Sequence, residues 1–323
     1  MFVEIEHTLS LAYDAYIRES FLELRMQPKT TADQTLQSFV LAVGPPTKIS
    51  RYRDWNGNVV HHFTIVHFHD RIEVVARSAV ATHPAVPALD RVSDLRPFPE
   101  LPYPLLDFLA FDGPVRAGAA LRKFSHGVAS APGAALGEQV RACGRHIREH
   151  FTYKKNVTRY DSTTDHFLAT GAGVCQDFTH LMLGLLRLRQ IPCRYVSGYL
   201  HVRPTDGEAA QSHAWVEFYS PASGWVPFDP THNREIDERY VVVGHGRHYD
   251  DVPPNKGIYR GNAAEQLHTA VRTQESSPKD ISALHEEMEQ IDVPVYQEIP
   301  ERRRDRLRQA AEEIVAAEDQ QQQ

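Results

Sequence analysis

The chain of 323 residues is short of the side chains on which several protein classes depend. It has three cysteines, Cys143, Cys175 and Cys193, and no Cys-x-x-Cys pair, so neither a disulfide framework nor a cysteine-rich zinc site is available to it. No apolar run approaches the roughly 20 residues of a membrane-spanning helix. Basic charge is lacking too: 35 lysines and arginines against 42 acids leave a formal charge of −7, where a nucleic-acid binder needs a basic footprint. The opening MFVEIEHTLSLAY has no basic n-region and alternates apolar with polar residues, unlike a secretory leader. These absences set the expectation of a soluble, cytoplasmic protein that engages neither nucleic acid nor membrane. With 41% hydrophobic residues there is material for a core, and the length suggests two domains.

What is present is concentrated between Gly171 and Leu200, in GAGVCQDFTHLMLGLLRLRQIPCRYVSGYL. Gly171 and Gly173 lead to Cys175, after which Phe178, Leu181, Met182, Leu185 and Leu188 recur at helical spacing until Ile191-Pro192. The spacing predicts a helix with Cys175 on its first turn. There the unpaired backbone N–H groups and the helix dipole favour a thiolate, and a cysteine can titrate well below its free value of about 8.5. CRYVSGYL then alternates as a strand. Cys143, by contrast, belongs to the stripe Leu136, Val140, Cys143, Ile147, Phe151, the core face of a helix around 135–151.

A thiolate needs a base, and the base needs a group to orient it. Both are found in SHAWVEFYSPASGWVPFDPTHN. His213 opens one strand and Asp229 ends the next, before Pro230. If residues 220–224 form the turn, antiparallel partners have numbers summing to about 444, which puts His213 and Asp229 on one side of the sheet and within reach of a hydrogen bond. That bond is expected to be made by His213 Nδ1–H. Taken singly, each of the three residues has a structural explanation: a buried small hydrophobe, a satisfied strand histidine, a turn before proline. The hairpin geometry and the glycines before Cys175 favour the functional one.

The order Cys, His, Asp, with GVCQDF, IPCRYVSGYL, SHAWVEFY, GWVPFDPTHN and VGHGRHYDDVPPNKGIYRG, resembles the bacterial transglutaminase-like family of thiol enzymes. Cys193 departs from it, standing where a small alanine-like residue is expected. The resemblance implies Cys175 as nucleophile, His213 as base and Asp229 as orienting carboxylate, with no cofactor. It also implies an α+β fold: an N-terminal antiparallel β domain, then a papain-like, transglutaminase-like core in which the nucleophile helix packs on an antiparallel sheet.

The expected organisation is a β domain over 1–85, a Pro-rich connector over 86–132, the catalytic core over 133–275 and a charged, partly helical extension over 276–323. Val3, Ile5, His7, Leu9 and Leu11 share one face of the first strand, and Asn56-Gly57 signals a turn. His61, His62, His67 and His69 invite a metal reading, but too few ligands converge, and solvent-facing strand histidines are the better expectation. Lys154 and Lys155 are read as solvated surface that could guide an acidic substrate. Asp177 is read as a helix N-terminal carboxylate facing away from Cys175. Arg247, Tyr249, Asp250 and Asp251 either shape the mouth of the cleft or form a self-bonded loop. AAEQLHTAVRTQE is expected to be the final strand of the core. The extension, with the weak stripe Leu307, Ala311, Ile314, Val315, is expected to dock or to bind a protein partner.

The implied chemistry is acyl transfer on a peptide or isopeptide amide through a thioester, resolved by water (a cysteine peptidase or amidase, the favoured outcome) or by an amine (a transglutaminase). The Cys175 N–H is one expected oxyanion donor; the second is not named by the sequence. The competing expectation is an idle triad on a protein-binding scaffold.

Overall fold

The computed structural model describes residues 1–84, 88–95, 98, 101–202 and 211–277; the expected C-terminal extension lies outside these apart from its first two residues. Six strands come first: β1 (Phe2–Ile17), β2 (Glu19–Leu24), β3 (Gln34–Gly44), β4 (Ser50–Arg53), β5 (Val59–Ile65) and β6 (His69–Thr82). The turn between β4 and β5 uses Gly57 at φ +69°, a left-handed conformation that suits glycine. Then follow α1 (Ala119–Ser125), α2 (Leu136–His150), β7 (Thr152–Tyr153), α3 (Thr164–Thr170), β8 (Ala172–Gly173) and α4 (Cys175–Leu188). The chain continues through β9 (Cys193–Leu200), β10 (Gln211–Ser220), β11 (Gly224–Asp229), β12 (Arg234–Glu235), β13 (Tyr240–Gly246), β14 (Asn255–Arg260) and β15 (Glu265–Ser276).

Three antiparallel sheets result, ordered β15-β1-β6-β3, β14-β2-β5-β4 and β12-β11-β10-β9-β13. At about 3.3 Å per residue, β1 is roughly 50 Å long, and its apolar face serves two cores. Leu9 and Leu11 pack with Leu22, Phe63 and Ile72 between the first two sheets. Val3 and Ile5 pack with Tyr199, Val241 and Val243 against the third. The largest core lies between that third sheet and the helices, where the expected α2 stripe, Leu136, Val140, Cys143, Ile147 and Phe151, meets Phe178, Leu181 and Leu185 of α4. From Asp177 to Arg187 every residue of α4 is buried. α4 is thus enclosed on every side, the axis on which α1, α2, α3 and the sheet pack.

The structure corrects the sequence reading in three places. The stretch AAEQLHTAVRTQE is not the last strand of the core: as β15 it pairs with β1 through twelve residues, from Phe2↔Ser276 to Tyr13↔Glu265. β14 likewise pairs with β2. Both edges of β1 carry backbone groups that need partners; β6 takes one edge and β15 the other. The connector is more than a surface strap, because its Leu89, Val92, Val115, Leu121 and Val128 belong to the main core. Among the four N-terminal histidines, His61 and His69 are buried, not solvent-facing. His61 stacks on Phe39, His69 bonds Ser20 Oγ at 2.8 Å and the His67 carbonyl at 2.7 Å, and His67 itself lies in a bend before the strand.

No described helix is long and apolar enough to cross a membrane.

Candidate active site

Cys175 is the first residue of α4, with Val174 as the extended N-cap residue. The N-cap side chain offers no acceptor, and the turn is closed from the other direction: Asp177 Oδ2 accepts the Val174 backbone N–H at 2.8 Å and the Thr158 hydroxyl at 2.6 Å. Asp177 is thus a buried cap of the helix, and burial, first among the influences on it, raises its pKa. Gly173 is required by this arrangement, since a Cβ there would stand 2.4 Å from Asp177 Oδ2. Gly171 closes α3 in the left-handed conformation, φ +71°. Cys175 is half-buried, whereas Cys143 and Cys193 are fully buried. Cys193 fills its strand position against the Leu183 carbonyl, and burial pushes its thiol up to about 11.

The hairpin register is the expected one, Val216↔Phe228 through Ser220↔Gly224, and it brings the base and the acid together. His213 Nε2–H donates to Asp229 Oδ2 at 2.8 Å, with both side chains sealed from solvent. The nitrogen is not the expected one. The far tip of the ring reaches across to the neighbouring strand, which leaves the buried Nδ1 with no nitrogen or oxygen partner. Burial works hardest against charge on His213, but the Asp229 carboxylate and then Cys175 outweigh it and raise the imidazole to about 10.

Asp229 holds further groups that sequence reasoning missed. Its Oδ2 also accepts from His232 Nδ1 and from the Tyr240 hydroxyl, each at 2.6 Å, while Oδ1 accepts the backbone N–H of Thr231 at 2.8 Å. Despite burial, His213 first and then His232 hold the carboxylate well below its usual range. His232 stood within the PTHN segment and could have been suspected. Tyr240 could not, because β13 pairs with β9 and not with β11.

A cavity of about 690 Å³ opens beside Cys175 and His213. Tyr195 of β9 lines it; burial and then the charge of Cys175 raise its phenol well above the usual value. Tyr249 and Lys155 line it as well, which gives two of the sequence candidates a place at the cleft. Arg247 and Asp251 instead pair with each other at 3.0 Å, so that part of the loop holds itself. The N-terminal unit contributes to the same lining: His7 of β1 with Leu267, Thr269, Ala270 and Val271 of β15.

Two described groups have metal-ligating side chains close together. In one, His213, Asp229 and His232, the ring nitrogens already bond to the carboxylate and an ion would have to displace them. The other, His146, Glu149 and His150, lies on the outside of α2, with its rings bonded to the carbonyls of Phe124 and His146.

Residues 122–230 match the transglutaminase-like superfamily and residues 3–81 match the bacterial transglutaminase-like N-terminal region. An uncharacterised protein of Mycobacterium leprae is 32% identical over 83% of this chain and 97% of its own length. The protein-glutamine gamma-glutamyltransferase of Pseudomonas aeruginosa is 30% identical over 34% of this chain, a match that spans 18% of that protein. A Cytophaga hutchinsonii protein, described provisionally as a cysteine protease, has the same fold: TM-score 0.72 and 20% identity, over 86% of this chain and 92% of that one. With both family regions matched in order and a relative aligned along nearly its whole length, the chain belongs to the bacterial transglutaminase-like family, whose fold is suited to thiol-dependent acyl transfer.

Proposed function

We propose that this protein is an acyl-transfer enzyme in which Cys175 is the nucleophile, His213 the general base and acid, and Asp229 the orienting carboxylate. The observation that carries the reading is the placement of His213: one ring nitrogen is fixed on a buried carboxylate at 2.8 Å, and the other is left for a cysteine at a helix N-terminus. The thiolate attacks an amide carbonyl carbon. The oxyanion is received by the Cys175 N–H, which has no intrahelical acceptor, and by the hydroxyl of Tyr195, a cleft-lining donor on which the charge of Cys175 acts. As the C–N bond breaks, His213 Nδ1–H protonates the departing amine and a thioester remains. Neutral His213 then takes a proton from water, the hydroxide oxygen attacks the thioester carbonyl, and the thiolate leaves. An amine in place of the water would make the product a new amide.

The peptide or isopeptide amide and the preference for hydrolysis belong to this proposal. They are tested by incubating the protein with a bacterial peptide pool in heavy-oxygen water and sequencing what changes. Hydrolysis gives products with heavy oxygen in the new carboxylate, transfer gives joined peptides, and Cys175→Ala gives neither. A pool unchanged by wild type, together with a Cys175 no more reactive than a free thiol, would favour a binding scaffold with an idle triad.

A further inference from the structure

Residues of α4 and the third sheet line the cleft, but part of its lining belongs to the N-terminal unit. Leu267, Thr269, Ala270 and Val271 of β15 line the same cavity as Cys175 and His213. β15 is the terminal strand of its sheet, and among the described residues β1 is its one strand partner. In an antiparallel pair, alternate residues turn their N–H and C=O groups away from the partner, so a twelve-residue edge strand presents a row of free backbone donors and acceptors. Its residues from Glu265 to Ala270 are exposed, Leu267 by 44%. The strand is nevertheless held in place. Thr269 Oγ1 bonds His7 Nε2 at 3.0 Å, and His7 Nδ1 bonds the Tyr199 hydroxyl at 2.9 Å, which ties β15 through β1 to the catalytic sheet. Among the cavity-lining residues Lys155 is the one lysine or arginine, and no carboxylate lines it.

We propose that the outer edge of β15 is the docking edge for the acyl donor: an extended polypeptide segment, neutral or acidic, pairs with it as an added strand and is thereby laid across Cys175. The inference rests on Cys175 being the nucleophile. Backbone pairing supplies affinity without fixing sequence, while alternate side chains reach the cleft and the side of Lys155. A folded surface or a small amide lacks a free strand edge and gains no affinity from this pairing.

The test uses the full-length protein and pooled heptapeptide chloromethyl ketones, in which the thiolate displaces chloride as the S–C bond forms, so that labelled Cys175 reports the sequence bound. Fast-reacting sequences are expected to favour Asp and Glu over Lys and Arg, and Lys155→Glu is expected to remove that bias. The best peptide is then made in two forms, N-methylated at its odd or at its even positions. Because only alternate N–H groups of an added strand face β15, one form should react about tenfold or more slowly and the other at close to the parent rate. Two forms that react as fast as the parent, or a preference for basic peptides, overturn the proposal. Iodoacetamide run in parallel separates the two failures: if it too reacts with Cys175 only as with an ordinary thiol, the nucleophile reading falls, and the docking edge with it.

Discussion

At Asp229 a single carboxylate oxygen takes hydrogens from two imidazoles and a phenol while buried out of contact with water. It stays ionised because the two imidazoles, His213 first, outweigh its burial, and it holds His213 charged in turn. Asp229→Asn should therefore lower kcat/KM by about 10 to 10³, less than the 10⁴ of a serine triad, since a thiolate–imidazolium pair is ionised before attack. The same substitution tests linkage. His213, raised from 6.5 to about 10, contributes stability that is fully present below about 6.5 and lost as pH rises through 10. Asp229, lowered from 3.8, contributes stability that is present above that value and lost as pH falls through its folded pKa. The Tm difference between wild type and Asp229→Asn should be widest between about pH 4 and 6.5 and shrink toward pH 10, as a series of thermal melts would show. Tyr240→Phe, which removes two charge-assisted hydrogen bonds, one to Asp229 and one from Arg234, should cost at least about 1.5–3 kcal/mol in urea unfolding and leave most of the activity. These neighbours of Asp229 were illegible in the sequence because they arrive through strand order. The choice of ring nitrogen was illegible because it depends on which end of the imidazole spans the gap between strands.

Along α4 the element itself was readable: the 3-4 spacing of Phe178, Leu181, Met182 and Leu185 gave the helix, and the glycines gave its start. The role of Asp177 was half readable. Its place in the first turn is as expected, but it accepts a backbone and a side-chain hydrogen where a simple dipole partner would face solvent. Asp177→Asn keeps an acceptor and removes a carboxylate that burial disfavours, so it should change activity far less than Asp229→Asn. Asp177→Ala leaves the Val174 N–H and the Thr158 hydroxyl unpaired and should cost about 1–3 kcal/mol, read from the urea midpoint. The β10–β11 hairpin was legible for a plain reason: a short turn fixes register, and register fixes which residues share a side.

Across the whole molecule, the division drawn from the sequence separates strands that are paired in space. Alternation along residues 265–275 shows a strand, but alternation reports burial of faces and carries no information about which edge a strand meets. With β15 on β1 and β14 on β2, both N-terminal sheets are completed by the far end of the described chain. Residues 1–85 expressed alone should lack two strands and an apolar face for Val3 and Ile5, and should show no cooperative thermal transition by circular dichroism. A sharp melt from that fragment would contradict the pairing. The same return of the chain places His7 of β1 and residues of β15 in the lining of the cavity beside Cys175.

The central claim is that Cys175 is a nucleophile kept reactive by His213 and Asp229, and its most direct test is the rate of iodoacetamide alkylation at each cysteine between about pH 5 and 9, resolved by mass spectrometry. The account predicts rapid labelling of Cys175 already near pH 6, where an ordinary cysteine titrating at about 8.5 is almost unreactive, with Cys143 and Cys193 protected and the Cys175 profile displaced to higher pH in Asp229→Asn. A Cys175 profile that rises only near 8.5, unchanged in Asp229→Asn, would contradict it.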